Sequence, residues 1–360
     1  MQKRHATGDS DIYFTNRSFT IEAHNIHTMA RIDPKKIPGA RKAAMPEFLP
    51  PQLATLAKQP PTGEEWLHEL KFDGYRMLCH LNKGKARFWS RNAKDWTERF
   101  SSLEKPLKKL PAVTAILDGE VVVVDPKGRS SFQRLQQGIA TGAALVFQVF
   151  DVIYLDGYLL TRTPLRERKA VLGLLLSSLP AEGAIRYSDH IEGNGQQFFK
   201  QACEYGIEGI VSKLADSVYE STRTRSWLKV KCNKRQEFVV VGYTPSDKGF
   251  PGFGSLVLGV YGTGKEKGKL IYAGRVGTGF SIKKRLELQK MLDQISQPAM
   301  PFASKPKDTG LRKALWAKPK LIAEVEFTEW TDEGIIRHPS FKGLREDKKP
   351  SDVIREEPTA

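Results

Sequence analysis

The sequence is short of the features that would make it a membrane, secreted or zinc-built protein. Its three cysteines, Cys79, Cys203 and Cys232, are odd in number and far apart. They form no Cys-x-x-Cys pair and no metal-ligand spacing, so a reducing interior is expected and a structural zinc is not. No stretch approaches the roughly 20 apolar residues of a membrane span. Met1 to Asp11 lacks the apolar core of a signal peptide and already carries acids at Asp9 and Asp11. A cytoplasmic chain with no membrane partner is therefore expected. Negative charge is also in short supply: 41 Asp and Glu stand against 57 Lys and Arg, a formal net charge of +16 with a pI near 9.6. The plainest meaning of that excess is a polyanionic partner, nucleic acid before an acidic membrane surface. The alternative is a merely soluble basic protein.

What is present suffices for two folded domains, since 360 residues with 40% hydrophobic content can build a core in each. Residues 1–43 are polar and basic and end in Pro34-Lys35-Lys36-Ile37-Pro38-Gly39, which reads as an extension with little core of its own. Pro46 to Ala57 reads as a short amphipathic turn or helix. Strand-like runs follow at Tyr75–Leu81 and Ala86–Ser90, joined by a hairpin turn at Lys83-Gly84-Lys85. Ala112–Asp118 and Glu120–Asp125 read as a second pair, and Leu145–Tyr154 as a longer buried strand. Helical stretches are expected at Glu98–Lys109, Leu165–Ser178 and Gly195–Tyr205, with Arg166, Arg168 and Lys169 making a basic face on the second. Strands and helices mix without a βαβ period, so residues 44–233 are expected to be α+β with antiparallel sheets. Beyond Asn233 strands dominate: Phe238–Tyr243, Ser255–Tyr261, Leu270–Val276 and Leu321–Thr328, interrupted by one helix at Ile282–Leu292. That suits a C-terminal OB-fold β-barrel over 234–350, followed by a tail at 351–360. The 234–350 segment holds 22 Lys and Arg against 13 Asp and Glu, over half of the net charge in a third of the chain. No internal repeat recurs at a fixed period.

Chemistry is concentrated in one run, Glu69-Leu70-Lys71-Phe72-Asp73-Gly74-Tyr75-Arg76. Alternation over Trp66 to Phe72 reads as a strand, placing Glu69, Lys71 and Asp73 on one face. That face is either a solvated sheet surface or a lysine held for covalent chemistry. A Lys-x-Asp-Gly tetrad alone is weak evidence. An ordered series downstream strengthens it. Ser90-Arg91-Asn92 closes a strand, and Leu117-Asp118-Gly119-Glu120 puts a carboxylate at a turn between two strands. Phe147 to Asp151 ends in an aromatic and an acid. Glu208 to Lys213 pairs an acid with a lysine, and Ser226 to Lys231 places Lys229 and Lys231 on one strand face. Arg345-Glu346-Asp347-Lys348 closes the second domain.

This series resembles the covalent nucleotidyltransferase superfamily, most closely the ATP-dependent DNA ligases and, among them, the ligase module of bacterial ligase D, which serves non-homologous end joining. Leu67 to Arg76, Ser90-Arg91-Asn92 and Arg337 to Arg345 carry the likeness, which covers roughly residues 45–350. The resemblance implies an adenylation (nucleotidyltransferase) domain before the OB-fold. It implies that Lys71 carries AMP, that Glu69 contacts the adenine, and that Arg76 and Arg91 contact phosphate and ribose. Glu120 serves the ribose and the metal, Glu208 mainly the metal, and Phe150 stacks on the base. Lys229 and Lys231 neutralise phosphate, while Arg345 and Lys348 orient the leaving pyrophosphate. ATP and Mg²⁺ or Mn²⁺ are the implied cofactors. Nicked or broken double-stranded DNA and the end-binding protein Ku are the implied partners of a monomeric bacterial, nucleoid-associated enzyme.

The chemistry asks for the same residue types independently. A lysine must be neutral to attack phosphorus, and its ordinary pKa is about 10.4, so nearby cations and a desolvated pocket are required. Asp73 reads as scaffold rather than catalyst, and Arg166 fits a nucleotide contact or a solvated face equally. The rival expectations are an RNA ligase or GTP-using capping enzyme of the same superfamily, and a non-enzymatic OB-type nucleic-acid-binding protein.

Overall fold

Continuous apolar strands dictate the architecture of the first two-thirds of the chain. A computed structural model describes residues 32–246, 249 and 251–358. Tyr75–Asn82 is buried at almost every position, so both of its faces and both of its edges must be covered. It lies between Lys85–Ser90 and Thr114–Val122 in a sheet that continues through Val146–Leu155 and Tyr158–Leu159 to Arg41–Lys42. A second sheet runs His190–Glu192, Trp66–Leu70, Gly209–Leu214, Arg223–Lys231, Leu53–Leu56. Leu78, Ile116, Ile153 and Tyr154 of the first sheet pack against Trp227 of the second. Beneath the first sheet the Phe88 ring meets Phe100 at 5.8 Å and Phe147 at 5.6 Å, both edge-on.

The last third is a separate five-stranded sheet ordered Leu270–Val276, Phe253–Tyr261, Arg235–Pro245, Leu315–Glu326, Ser340–Leu344. With the helix Ile282–Asp293 it makes the expected OB-fold. The helix begins where the Ser281 hydroxyl accepts from Lys284 N at 3.2 Å. The whole is thus α+β: an antiparallel nucleotidyltransferase fold followed by an OB-fold barrel.

Several local expectations are corrected. Ala112–Asp118 and Glu120–Asp125 are not a pair: Thr114–Val122 is one strand, so Glu120 sits mid-strand, opposite Arg76 and Gln148. Cross-strand pairing on both sides outweighs the turn tendency of Asp118-Gly119. Leu53–Leu56 is a strand, not a helix, because it completes the second sheet in parallel with Arg223–Lys231. The helix expected over Glu98–Lys109 is broken into a 3₁₀ stretch and one α turn, with Phe100 out of helical geometry as its ring enters the core. A helix at Phe132–Thr141 was not expected; it ends at Gly142, whose φ of 72° is the left-handed cap that glycine accepts.

The proposed basic extension splits. Residues 1–31 lie outside the described residues, but Pro34–Lys36 forms a capped 3₁₀ turn and Arg41–Lys42 pairs with Tyr158–Leu159. The tail is not free either: Val353 is buried and its carbonyl accepts from Tyr261 N at 2.7 Å. Nor are all three thiols separate. The helix Gly195–Glu204 packs on Gly209–Leu214, which brings Cys203 to the end of the neighbouring strand, and it is disulfide-bonded to Cys232. Cys79 is a buried free thiol.

Phe88→Ala should cost about 3–5 kcal/mol, the usual loss for deleting a packed core aromatic. Equilibrium urea unfolding measures it; a loss under about 1 kcal/mol would mean that the three rings do not form a packed unit.

Candidate active site

Sheet register, not sequence proximity, assembles the site. Glu69 lies opposite Val211, which lies opposite Lys229. One step along, Lys71 N donates to Gly209 O at 2.9 Å, and Gly209 pairs with Lys231. The Lys71 row and the Glu69 row thus each end on a lysine of Arg223–Lys231. Gly209 is required here because a Cβ would stand 2.0 Å from Val230 O. The first sheet contributes Arg76, Glu120 and Phe150, and the OB-fold contributes Glu237, Glu324, Arg345, Asp347 and Lys348. Together they line a cleft of about 1160 Å³, counted to its open mouth, into which all eleven residues singled out in the sequence project.

Nine cationic and eight anionic side chains line this cleft, so nearly every positive charge has a carboxylate beside it. Lys71 Nζ is 2.5 Å from Glu208 Oε2. Burial works to raise the Glu208 carboxyl, but Lys71 and Arg235 outweigh it and hold it below the ordinary range. Lys229 and Lys231 share one partner, Glu356, at 2.6 and 2.9 Å. Arg345 grips Asp347 through two nitrogens, each at 2.9 Å, reaches Glu324 at 3.3 Å, and lies 4.4 Å from the centre of the Phe132 ring. Lys348 pairs with Glu237. Arg345 is therefore packed, not part of a solvated terminal cluster.

The base end of the cleft is built on Glu69. Its Oε1 accepts from Lys213 at 2.9 Å and lies 3.1 Å from Lys169, and its Oε2 accepts from Ser188 Oγ at 2.9 Å. Burial would raise this carboxyl, but the two lysines hold it ionised and low. Lys213 Nζ also lies 4.4 Å from the Phe150 ring centre and 4.3 Å from Trp227. Lys169 and Lys213 were not singled out as site residues. Lys213 was visible two positions beyond Val211 on the same strand face. Lys169 was hidden in a helix read as basic and solvated; in fact Arg168 and Lys169 are buried and only Arg166 is exposed, paired with Asp216 at 2.7 Å.

The two arginines expected to contact the nucleotide both line the cleft. Arg76 reaches the cleft, but its guanidinium holds Asp118 at 2.9 and 2.6 Å and donates to Gln52 O at 2.6 Å. It stands 5.1 Å from the Phe150 ring centre, which makes it a support for that ring before a ligand contact. Arg91 lines the cleft, and burial lowers its pKa against the pull of Asp352. Asp73 accepts from Phe132 N at 2.9 Å and from Arg235 at 2.7 Å, tying the Lys71 loop to a helix start and to the second domain.

Among the described residues no three His, Cys, Asp or Glu side chains form a metal cage. Glu120 and Glu208 nevertheless suit a hard cation that takes one or two carboxylates and completes its shell with water and substrate phosphate. Burial pushes the Glu120 carboxyl up to about 8 although Lys71, Arg345 and Arg76 pull it down. It is a carboxylate short of counter-charge, as a cation site requires.

Comparison with known proteins gives the family. Residues 51–231 match the family described as "ATP dependent DNA ligase domain", and residues 250–348 match "ATP dependent DNA ligase C terminal region". The multifunctional non-homologous end joining protein LigD of Pseudomonas aeruginosa is 39% identical over 319 residues, 88% of this chain and 38% of that protein. The Mycobacterium bovis protein of the same name is 36% identical over 294 residues, 81% of this chain and 38% of its own length. The chain thus spans well under half of these curated relatives. The solved structure of a mycobacterial DNA ligase D complexed with ATP and MES is 34% identical, with a TM-score of 0.63 over 86% of this chain and 98% of that one.

Phe150 is followed by Asp151, which is fully buried and paired with the equally buried Arg168 at 2.8 and 2.9 Å. Arg168→Ala leaves that carboxylate uncompensated and should cost about 3–5 kcal/mol. Urea unfolding of the variant tests this; stability within about 1 kcal/mol of the parent would show that the pair does not anchor the Phe150 strand.

Proposed function

This chain belongs to the ATP-dependent DNA ligase family, and from that premise we propose that it seals 5′-phosphate/3′-hydroxyl breaks in DNA in three nucleotidyl-transfer steps. The observation that carries the reading is the pairing of Lys71 with Glu208 in a cleft that Lys229 and Lys231, two strands away in the same sheet, and Arg345 and Lys348 of the second domain also line. In the first step Lys71 Nζ attacks the α-phosphorus of ATP; an N–P bond forms and the bond to pyrophosphate breaks. AMP then passes to the 5′-phosphate at a nick, and the 3′-hydroxyl displaces it to join the strand.

Each residue has a part in that sequence. Lys229 and Lys231 neutralise phosphate charge that grows at the transition state. Phe150 and Val211 offer apolar faces to the base, and the ionised Glu69 accepts from an adenine amino group, where guanine would present an acceptor. Glu120 and Glu208 are the residues that would hold Mg²⁺ or Mn²⁺. Such a cation, when bound, neutralises phosphate oxygens. Glu208, hydrogen-bonded to Lys71 Nζ, is placed to take the proton that the amine gives up as the N–P bond forms. Arg345 and Lys348 face the leaving pyrophosphate.

The excess of basic residues, concentrated in the OB-fold, suits salt-dependent, sequence-independent contact with DNA phosphates. Because the curated relatives are non-homologous end joining proteins, repair of broken ends together with Ku is the setting we propose.

Incubated with α-labelled ATP and Mg²⁺ or Mn²⁺, the protein should take up label that survives denaturing electrophoresis and is released by acid, GTP should compete poorly, and the protein should seal a nicked DNA duplex. Lys71→Ala should take up none, and Lys229→Ala should label about 10²- to 10³-fold more slowly, as for loss of a preorganised charge partner. Label retained by Lys71→Ala, or no label on the parent protein, would overturn the reading.

A further inference from the structure

Lys229 and Lys231 lie side by side on one strand face with only 16% and 12% of their side chains exposed. Two neighbouring ammonium groups at that burial repel each other and require an anion. The anion present is Glu356, with one carboxylate oxygen on each lysine. A phosphate group would bridge the same pair in the same way.

Glu356 is not carried there by a loose end of chain. Gln236, itself buried, clamps the segment at two points: its Nε2 donates to Ile354 O at 3.0 Å, and its Oε1 accepts from Glu356 N at 2.9 Å. Val353, three residues earlier, is held by Tyr261 N and packs in the barrel core. The clamp fixes the register that points Glu356 into the cleft. Lys231 keeps a second partner, Arg235 O at 2.6 Å, so it stays oriented when the carboxylate leaves.

We propose that Glu356 is a positioning residue that stands in for the nucleotide's phosphates, holding Lys229 and Lys231 in their working arrangement until ATP displaces it. This rests on the reading of those lysines as the phosphate seat. Two anions do not share the seat, so ATP binding and the Glu356 bridge are antagonistic. The Glu356 carboxyl is held well below its ordinary range by Lys229 and Lys231, which outweigh the effect of burial, so the carboxylate stays ionised across the neutral pH range. The residue lowers the affinity of the cleft for free phosphate anions and keeps the two lysines from splaying apart when no nucleotide is bound.

The test compares the full chain with Glu356→Gln and Glu356→Asp. Glu356→Gln removes the competing charge but keeps the side-chain length, so the ATP KM of self-labelling should fall about tenfold while the rate at saturating ATP changes little. Pyrophosphate binding, read by titration calorimetry without any turnover, should tighten by a similar factor. Glu356→Asp retains the charge but is too short to bridge both lysines, and should lie between parent and Gln. If KM and the pyrophosphate Kd are unchanged or rise in both variants, Glu356 is structural and the proposal falls. If the parent takes up no label but Glu356→Gln still tightens pyrophosphate, the ligase reading fails and the proposal about the seat stands. Should Glu356→Gln not fold, the Asp variant alone decides by the direction of its pyrophosphate shift.

Discussion

Phosphate chemistry demands a crowd of cations in a partly buried cleft, and without ligand that crowd is unstable unless carboxylates are interleaved with it. The rest of the site follows from that constraint. Lys71 has Glu208, Lys229 and Lys231 share Glu356, Lys348 has Glu237, and Arg345 has Asp347 and Glu324. Burying an ion costs several kcal/mol unless it is paired, so each of these carboxylates is as necessary to the empty cleft as the cation it faces.

The Glu356 bridge to Lys229 and Lys231 crosses from one domain to the other, and with further polar contacts it sets how the two halves meet. Arg235, at the start of the OB-fold, holds Asp73 of the Lys71 loop at 2.7 Å and Glu324 of its own barrel at 2.8 Å. Lys94 and Asn92 donate to the carbonyls of Glu346 and Asp347, and Gln136 donates to the carbonyl of Leu344. The contacts between domains are thus mostly polar and ionic, while the apolar clusters stay within each half. Polar seams of this kind part more readily than apolar ones, which suits relative motion of the two halves.

Much of the fold was legible because it depends on local periodicity. The buried run Val146–Leu155, the hairpin at Lys83-Gly84 and the barrel strands from Arg235 onward follow from alternation, glycine placement and apolar continuity. Where expectation failed, a non-local partner overrode a local signal. Asp118-Gly119 stays extended because strands on both sides hold it, and Leu53–Leu56 is drawn into a parallel edge by a segment some 170 residues away. Arg168 and Lys169 look solvated on a helix until Asp151 and Glu69 are placed beside them.

The site divides along the same line. The sequence by itself singled out side chains that line the cleft: Lys71 after an alternating strand, Lys229 and Lys231 on one face, Glu120, Glu208 and Phe150 in order, and Arg345 and Lys348 near the end. Those are statements about residue type and spacing along one element, which strand geometry converts directly into a shared face. Only the tertiary structure decided what each charge answers to. That Glu69 sits between two lysines, that Arg76 braces Phe150 through Asp118, and that Glu356 bridges Lys229 and Lys231 depend on pairings more than a hundred residues apart in most cases. An ion pair leaves no periodic trace in the chain. It is fixed by which surfaces burial brings together, and by the energetic cost of leaving a buried charge alone.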